Sequence, residues 1–194
     1  MQDVFTRRFD KPQHADVGRY RTLLHTLSGL RQHFQGRRVL DYGASYGVSM
    51  CALLELSAER VVGVEIEESR VVEGRRILAD YGDRAELLHT PDTTVLPFAD
   101  REFDCVLCNA VLEHIPQPRD AHIREMWRVL RPAGVLIVNE NAEQVPAGGL
   151  PHAAPPPHQL VAIARGASDR RGARPLRPGA HGLGVVRLAW PRLV

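Results

Sequence analysis

Between Val17 and Phe34 the apolar residues Tyr20, Leu23, Leu24, Leu27, Leu30 and Phe34 recur at the spacing of one buried helix face. The pattern then shortens: Arg38–Tyr42 reads as a strand, and Val48–Leu56 as a helix with Val48, Ala52 and Leu56 on one side. RVVGVEI, residues 60–66, is a second strand. EESRVVEGRRILADYG, residues 67–82, is a helix closed by Gly82 at a C-cap position. AELLHT is a third strand, followed by the turn-rich PDTTVLPFADRE. FDCVLCNAVL is a fourth strand, apolar on both faces as a central parallel strand is. PQPRD opens a helix that lines Ile123, Met126, Trp127 and Leu130 on one side, Pro132 and Gly134 stop it, and GVLIVNEN is a fifth strand.

This alternation predicts an α/β fold, a Rossmann-like doubly wound and mainly parallel sheet with helices on both faces. The pattern changes after Glu143. Residues 144–194 are crowded with Pro, Gly, Ala, Arg and His, and no apolar period lasts beyond QLVAIA. Two units are therefore expected: a domain over 1–143 and a poorly ordered tail over 144–194. The fifth strand would then be an exposed apolar edge, the C-terminal strands of the sheet being missing or replaced.

Composition narrows the function classes. A chain of 194 residues suits one domain, and 44% hydrophobic with 25% charged residues is ordinary for a soluble globular protein. A net charge of +2 is too small to argue for nucleic acid or a membrane surface, and no nucleic-acid partner is expected. The start MQDVFTRRFDKPQH has no apolar core of a signal peptide, and no run approaches a membrane span, so a cytoplasmic protein is expected. Of 25 basic residues only Lys11 is lysine, which fits a GC-rich coding sequence. Cys105 and Cys108 form a C-x-x-C, but on a strand they point to opposite faces and read as buried, inert thiols.

In such a sheet, ligands bind at the carboxyl ends of the strands where strand order reverses. Polar residues gather there: Asp41, Gly43 and Gly47 after the first strand, Glu65 ending the second, Asp92 and Thr93 after the third, Asn109 ending the fourth. The glycines permit backbone angles or close approaches that a side chain blocks. Glu65 can accept from two ribose hydroxyls, and Asp92 from an exocyclic amine. The loop VLDYGASYGVSM lacks both G-x-G-x-x-G and a phosphate-binding G-K-S/T, so no pyrophosphate or triphosphate is expected. The set implies an adenosine with a small, non-phosphorylated appendage.

The ordered pieces DYGASYG, VVGVEI, DTTVLPFADREFD, NAVLEHIPQP and WRVLRPAGVLIVNE resemble the motifs of class I S-adenosylmethionine-dependent methyltransferases, over roughly 30–141. Ser45 stands where that family usually has a third glycine. The resemblance implies S-adenosyl-L-methionine as cofactor, methyl transfer to a small-molecule acceptor, and no metal. It implies that Asp41 and Gly43 hold the methionine end. Glu65 would take the ribose, Asp92 with the Thr93 amide the adenine, and the Asn109 backbone would lie beside the sulfonium. A non-catalytic cofactor-binding remnant is the alternative. The family continues past its fifth strand with two more strands that the tail does not resemble; a one-nucleotide frame shift near Asn141 permits a better match, so the tail reads as disordered or frameshifted.

No catalytic residue is assigned. Glu113 and His114 are expected to fix the EHIPQP loop by bonding neighbouring backbone, His89 to be structural and Trp127 to be core. Asp92 also suits an Asx turn, with Thr93 and Thr94 following it.

Overall fold

The computed structural model describes residues 17–141, 159–165 and 185–187. Its helices are α1 (Val17–Ser28), α2 (Val48–Glu55), α3 (Glu68–Leu78) and α4 (Asp120–Arg128). Its strands are β1 (Arg38–Tyr42), β2 (Arg60–Glu65), β3 (Ala85–His89), β4 (Phe103–Asn109), β5 (Leu130–Asn141), β6 (Gln159–Arg165) and β7 (Val185–Arg187).

The strands lie in the order β3-β2-β1-β4-β5-β6-β7, parallel from β3 through β6, with β7 antiparallel to β6. The order reverses between β1 and β4, so the loops after these two neighbours straddle the switch point. Helix period and strand alternation sort the apolar residues into two layers. One joins α1, α2 and α3 to Val39, Val61, Cys105, Leu107 and Ile137. The other joins Ile123, Met126 and Trp127 of α4 to Leu40, Val62, Val106, Cys108 and Leu136. Cys105 and Cys108 thus lie on opposite faces, both buried and neither in a disulfide, and burial pushes the Cys105 thiol up to about 12.

Several boundaries differ from the pattern: α3 ends at Leu78 with Ala79 as its C-cap, so Gly82 lies inside a following 3-10 segment, Ala79–Arg84, and β4 ends at Asn109, leaving Leu112 in a 3-10 turn. α1 stops at Ser28, and the remaining apolar positions, Leu30 and Phe34, flank a 3-10 turn, Arg31–His33. β5 begins at Leu130, ahead of Gly134, with a register shift against β4 and Ala133 at φ 64°.

The expectation that β5 is an exposed edge is corrected. β6 pairs with it in parallel from Val135↔Gln159 to Asn141↔Arg165, and β7 pairs with β6 from Val161↔Arg187 to Ile163↔Val185. The apolar run QLVAIA, too short to read as an element among its neighbours, meets a row of unpaired backbone groups on β5 and completes them. Residues 142–158, 166–184 and 188–194, on which the expectation of disorder also falls, lie outside the described residues.

Candidate cofactor site

The turn after β1 is shaped by three left-handed residues. Gly43 has φ 77° and Gly47 φ 84°, and a Cβ on Gly43 would meet Val111 Cγ2 at 2.5 Å. Ser45, between them, also sits at φ 50°. A third glycine is the residue this backbone favours; serine there costs about 1–2 kcal/mol of conformational energy. The Gly43 and Ala44 amides both donate to the Val64 carbonyl, at 3.0 and 2.9 Å, which ties the turn to β2.

Glu65 closes the same unit. Its side chain is buried at the end of β2, where Oε2 accepts from the Ser45 amide at 2.9 Å and Oε1 from the Glu67 amide at 3.0 Å. A carboxylate has about four lone-pair positions, so two bonds aim the group and leave capacity for two hydroxyls. Asp41 lies deeper. It is almost fully buried and accepts the Ser49 hydroxyl of α2. Burial, with a smaller contribution from Glu65, raises its carboxyl from 3.8 to about 7 despite the Ser49 bond. Asp41 therefore braces the turn from below rather than opening onto solvent.

The loop after β3 is fastened to α4 at several points. The Tyr42 hydroxyl donates to the Thr93 carbonyl at 3.2 Å and lies 2.7 Å from His122 Nδ1, which is 3.2 Å from Thr93 Oγ1. Further along, Arg128 donates to the carbonyls of Leu96 and Phe98, and Glu125 accepts from the Leu96 amide. Asp92, in contrast, is exposed and forms the Asx turn: Oδ1 accepts the Thr94 amide at 2.8 Å and also the Thr94 hydroxyl. Those bonds hold its carboxyl below the usual carboxylate range.

Asn109, ending β4, accepts through Oδ1 from Nδ2 of Asn139 on β5, and the Ala110 amide donates to the Asn139 carbonyl at 2.7 Å. The structure thus gathers Gly43, Gly47, Glu65, Asp92, Thr93 and Asn109 along the carboxyl ends of β1–β4, with Asp41 one layer beneath.

Sequence reasoning missed several neighbours. Ile66 is 62% exposed beside Glu65, and Val95 is 69% exposed in the β3–β4 loop, so apolar surface flanks the polar groups. Tyr42 reads as a strand core residue, and nothing in the sequence joins it to His122, 80 residues on. Glu113 and His114 do not fix their loop as expected. That loop is held by backbone bonds from His114 to Val111 and from Ile115 to Leu112, and by Arg119 donating to the Ile115 carbonyl. The His114 side chain is 78% exposed, whereas that of Glu113 is 6% exposed with Oε2 unpartnered. His89 bonds the Ile66 carbonyl through Nε2, and Trp127 lies in the α4 core layer. Among the described residues no cluster of His, Cys, Asp and Glu could hold a metal, and no helix is long and apolar enough to cross a membrane.

Residues 40–138 match the methyltransferase domain family. Demethylmenaquinone methyltransferase of Clavibacter sepedonicus is 39% identical over 105 residues, which are 54% of this chain and 41% of that protein. A ubiquinone/menaquinone biosynthesis C-methyltransferase of Yersinia enterocolitica is 34% identical over 116 residues, 58% of this chain and 45% of that protein. The chain spans less than half the length of these curated relatives. Among solved structures, the SpnF cyclase shares 27% identity at TM-score 0.53, over 59% of this chain and 44% of that one. A Pyrococcus horikoshii protein aligns over 84% of this chain and 66% of its own at TM-score 0.56; at 21% identity it speaks to the fold alone. With the match spanning just over half of the chain, the chain belongs to the methyltransferase domain family, of the class I S-adenosylmethionine-dependent type.

Proposed function

We propose that this chain binds S-adenosylmethionine and transfers its methyl group to a small-molecule acceptor of the quinone or quinol type. The observation that supports it best is the pairing of the Gly43–Gly47 turn with Glu65. Together they offer a close backbone approach and an aimed, half-satisfied carboxylate, with no phosphate-binding lysine or G-x-G-x-x-G. These residues fit an adenosine bearing an amino acid. Glu65 takes the ribose hydroxyls, the Asp92–Thr93 loop the adenine edge, and exposed Ile66 offers an apolar face for the ring. Asp41 and Gly43 support the methionine end, and the Asn109 backbone borders the reacting centre.

When bound, the cofactor supplies an activated methyl on a cationic sulfur. The protein's part is to align the two reactants, an effect worth about 7–11 kcal/mol when geometry is tight. The β3–β4 loop, clamped by Tyr42, His122, Glu125 and Arg128, is held in place before binding. The quinone-type acceptor rests on the relatives' names, and the fold alone does not choose it. Residues 1–143 form the cofactor domain in this reading and 144–194 its tail, from which Gln159–Arg165 and Val185–Arg187 add to the sheet; the family match stops at Val138.

Calorimetric titration tests the reading. S-adenosylhomocysteine should bind with micromolar affinity while NAD does not, and methyl label should then pass to a naphthoquinol. Binding of NAD in preference would overturn it.

A further inference from the structure

The hydroxyl of Tyr42, at the end of β1, has two acceptors within reach. The Thr93 carbonyl, in the loop after β3, lies 3.2 Å away, and Nδ1 of His122 on α4 lies 2.7 Å away. The same Nδ1 is 3.2 Å from the Thr93 hydroxyl. Tyr42 and Thr93 are buried and His122 is half-buried. A phenol has one hydrogen to give. Burial holds the Tyr42 hydroxyl above its usual range, the Thr93 bond opposing this in part, so the hydrogen stays on oxygen at neutral pH.

Nδ1 decides where that hydrogen goes. As a bare lone pair, Nδ1 is the nearer acceptor; it takes the Tyr42 hydrogen and leaves the Thr93 carbonyl without it. Carrying a hydrogen of its own, Nδ1 donates to the Tyr42 oxygen, and the Tyr42 hydrogen turns to the carbonyl. Only the second arrangement satisfies both contacts of the hydroxyl at once. Two hydroxyls converge on Nδ1 and each can donate to it, which suits a neutral ring with its hydrogen on Nε2. The charged groups around the pair are Asp92 on the loop, which interacts with both rings, and Glu125 with its partner Arg128 on α4. The Cys108 thiol of β4 faces Tyr42 in the same core layer.

We infer that His122 is a positioning residue for the cofactor loop: a hydrogen on Nδ1 turns the Tyr42 hydrogen onto the Thr93 carbonyl and ties the loop to β1, and loss of that proton releases it. This inference rests on the assignment of the Asp92–Thr93 loop to the adenine. Imidazoles are the side chains that change charge between pH 5 and 8. Cofactor affinity should gain from the tie at the acid end of that range and lose it at the other. Asp41 titrates in the same window, so the gain is read against Tyr42→Phe, in which Asp41 is unaltered.

Long-range nitrogen NMR of the full chain between pH 5 and 8 reads the ring directly, its signals identified from a His122→Asn protein. At pH 8 the hydrogen should sit on Nε2 alone and at pH 5 on both nitrogens, with the Thr93 and Thr94 amide signals moving at the same midpoint. In calorimetry with S-adenosylhomocysteine, wild type should bind about two- to tenfold more tightly than Tyr42→Phe at pH 5.5, and equally at pH 8. His122→Asn, whose amide N–H stands in the place of Nδ1–H at every pH, should lose this dependence. A neutral ring with its hydrogen on Nδ1 overturns the inference. So do Thr93 and Thr94 amides that stay still while the ring titrates, and a Tyr42→Phe protein that keeps the wild-type pH profile. A wild-type chain that binds no S-adenosylhomocysteine at any pH fails the cofactor assignment instead, and the ring and amide signals still decide where the proton acts.

Discussion

The backbone amide of Ser45 donates to Oε2 of Glu65 across 2.9 Å, so the turn after β1 and the acid ending β2 set each other's position. Neither is a freestanding motif. Replacing Glu65 by Ala strands the Ser45 and Glu67 amides as well as any ribose hydroxyl. We expect S-adenosylhomocysteine affinity to fall by roughly 1–3 kcal/mol. Calorimetry on a folded Glu65→Ala protein checks this, and unchanged affinity would remove Glu65 from the cofactor site.

Ser45 is strained where glycine is relaxed. Its φ of 50° predicts that Ser45→Gly keeps or raises stability, by up to about 1 kcal/mol once glycine's greater unfolded-state freedom is subtracted. Ser45→Val, β-branched at the same angle, should cost more than that. Urea denaturation of the pair decides; a Val variant as stable as the Gly variant would contradict the left-handed turn.

Asp41 gives a pH signature. Burial raises its folded-state value from 3.8 to about 7. An acid raised on folding binds its proton more tightly in the native state. Its contribution is fully present below 3.8 and is lost as pH rises to about 7. The stability of Asp41→Asn relative to wild type should therefore climb through that window, by at most about 1.4 kcal/mol per pH unit, and level off above it. Denaturation curves at a series of pH values measure the difference, and a flat one would assign the titration elsewhere.

Tyr42 and His122 hold Thr93 from below. Tyr42→Phe removes the bond to the Thr93 carbonyl and the contact with His122, and should cost about 0.5–1.5 kcal/mol of stability. It should also weaken S-adenosylhomocysteine several-fold, since the loop bearing Asp92 loses its anchor. His122→Ala should have a similar effect, and the double variant less than the sum of the two. Strict additivity would show that the two side chains act independently.

The strand pairing of the tail is also open to measurement. Amides of Leu160–Ala164, paired with β5, should exchange with deuterium far more slowly than those of the Pro- and Gly-rich stretches around them. Truncation after Asn141 should uncover the β5 edge and promote self-association. Fast exchange at Leu160–Ala164 would return β5 to the role of edge strand.

Much of this protein is local, and local features are legible in a sequence. Helix period, strand alternation and Gly43 and Gly47 follow from backbone sterics and burial within a few residues, so the β-α order and the switch-point acids could be read directly. Even the opposite orientation of Cys105 and Cys108 is a matter of strand geometry. What tertiary structure alone decided depends on pairs distant along the chain. Tyr42 meets His122, Asp41 is buried beneath α2, and Gln159–Arg165 finds the edge of β5. Glu113 is the sharpest case: as a sequence position it is a polar loop residue expected to bond neighbouring backbone. Only packing against the cofactor turn and β5 buries its carboxylate without a partner, because desolvation is set by neighbours from other strands and not by the residues beside it.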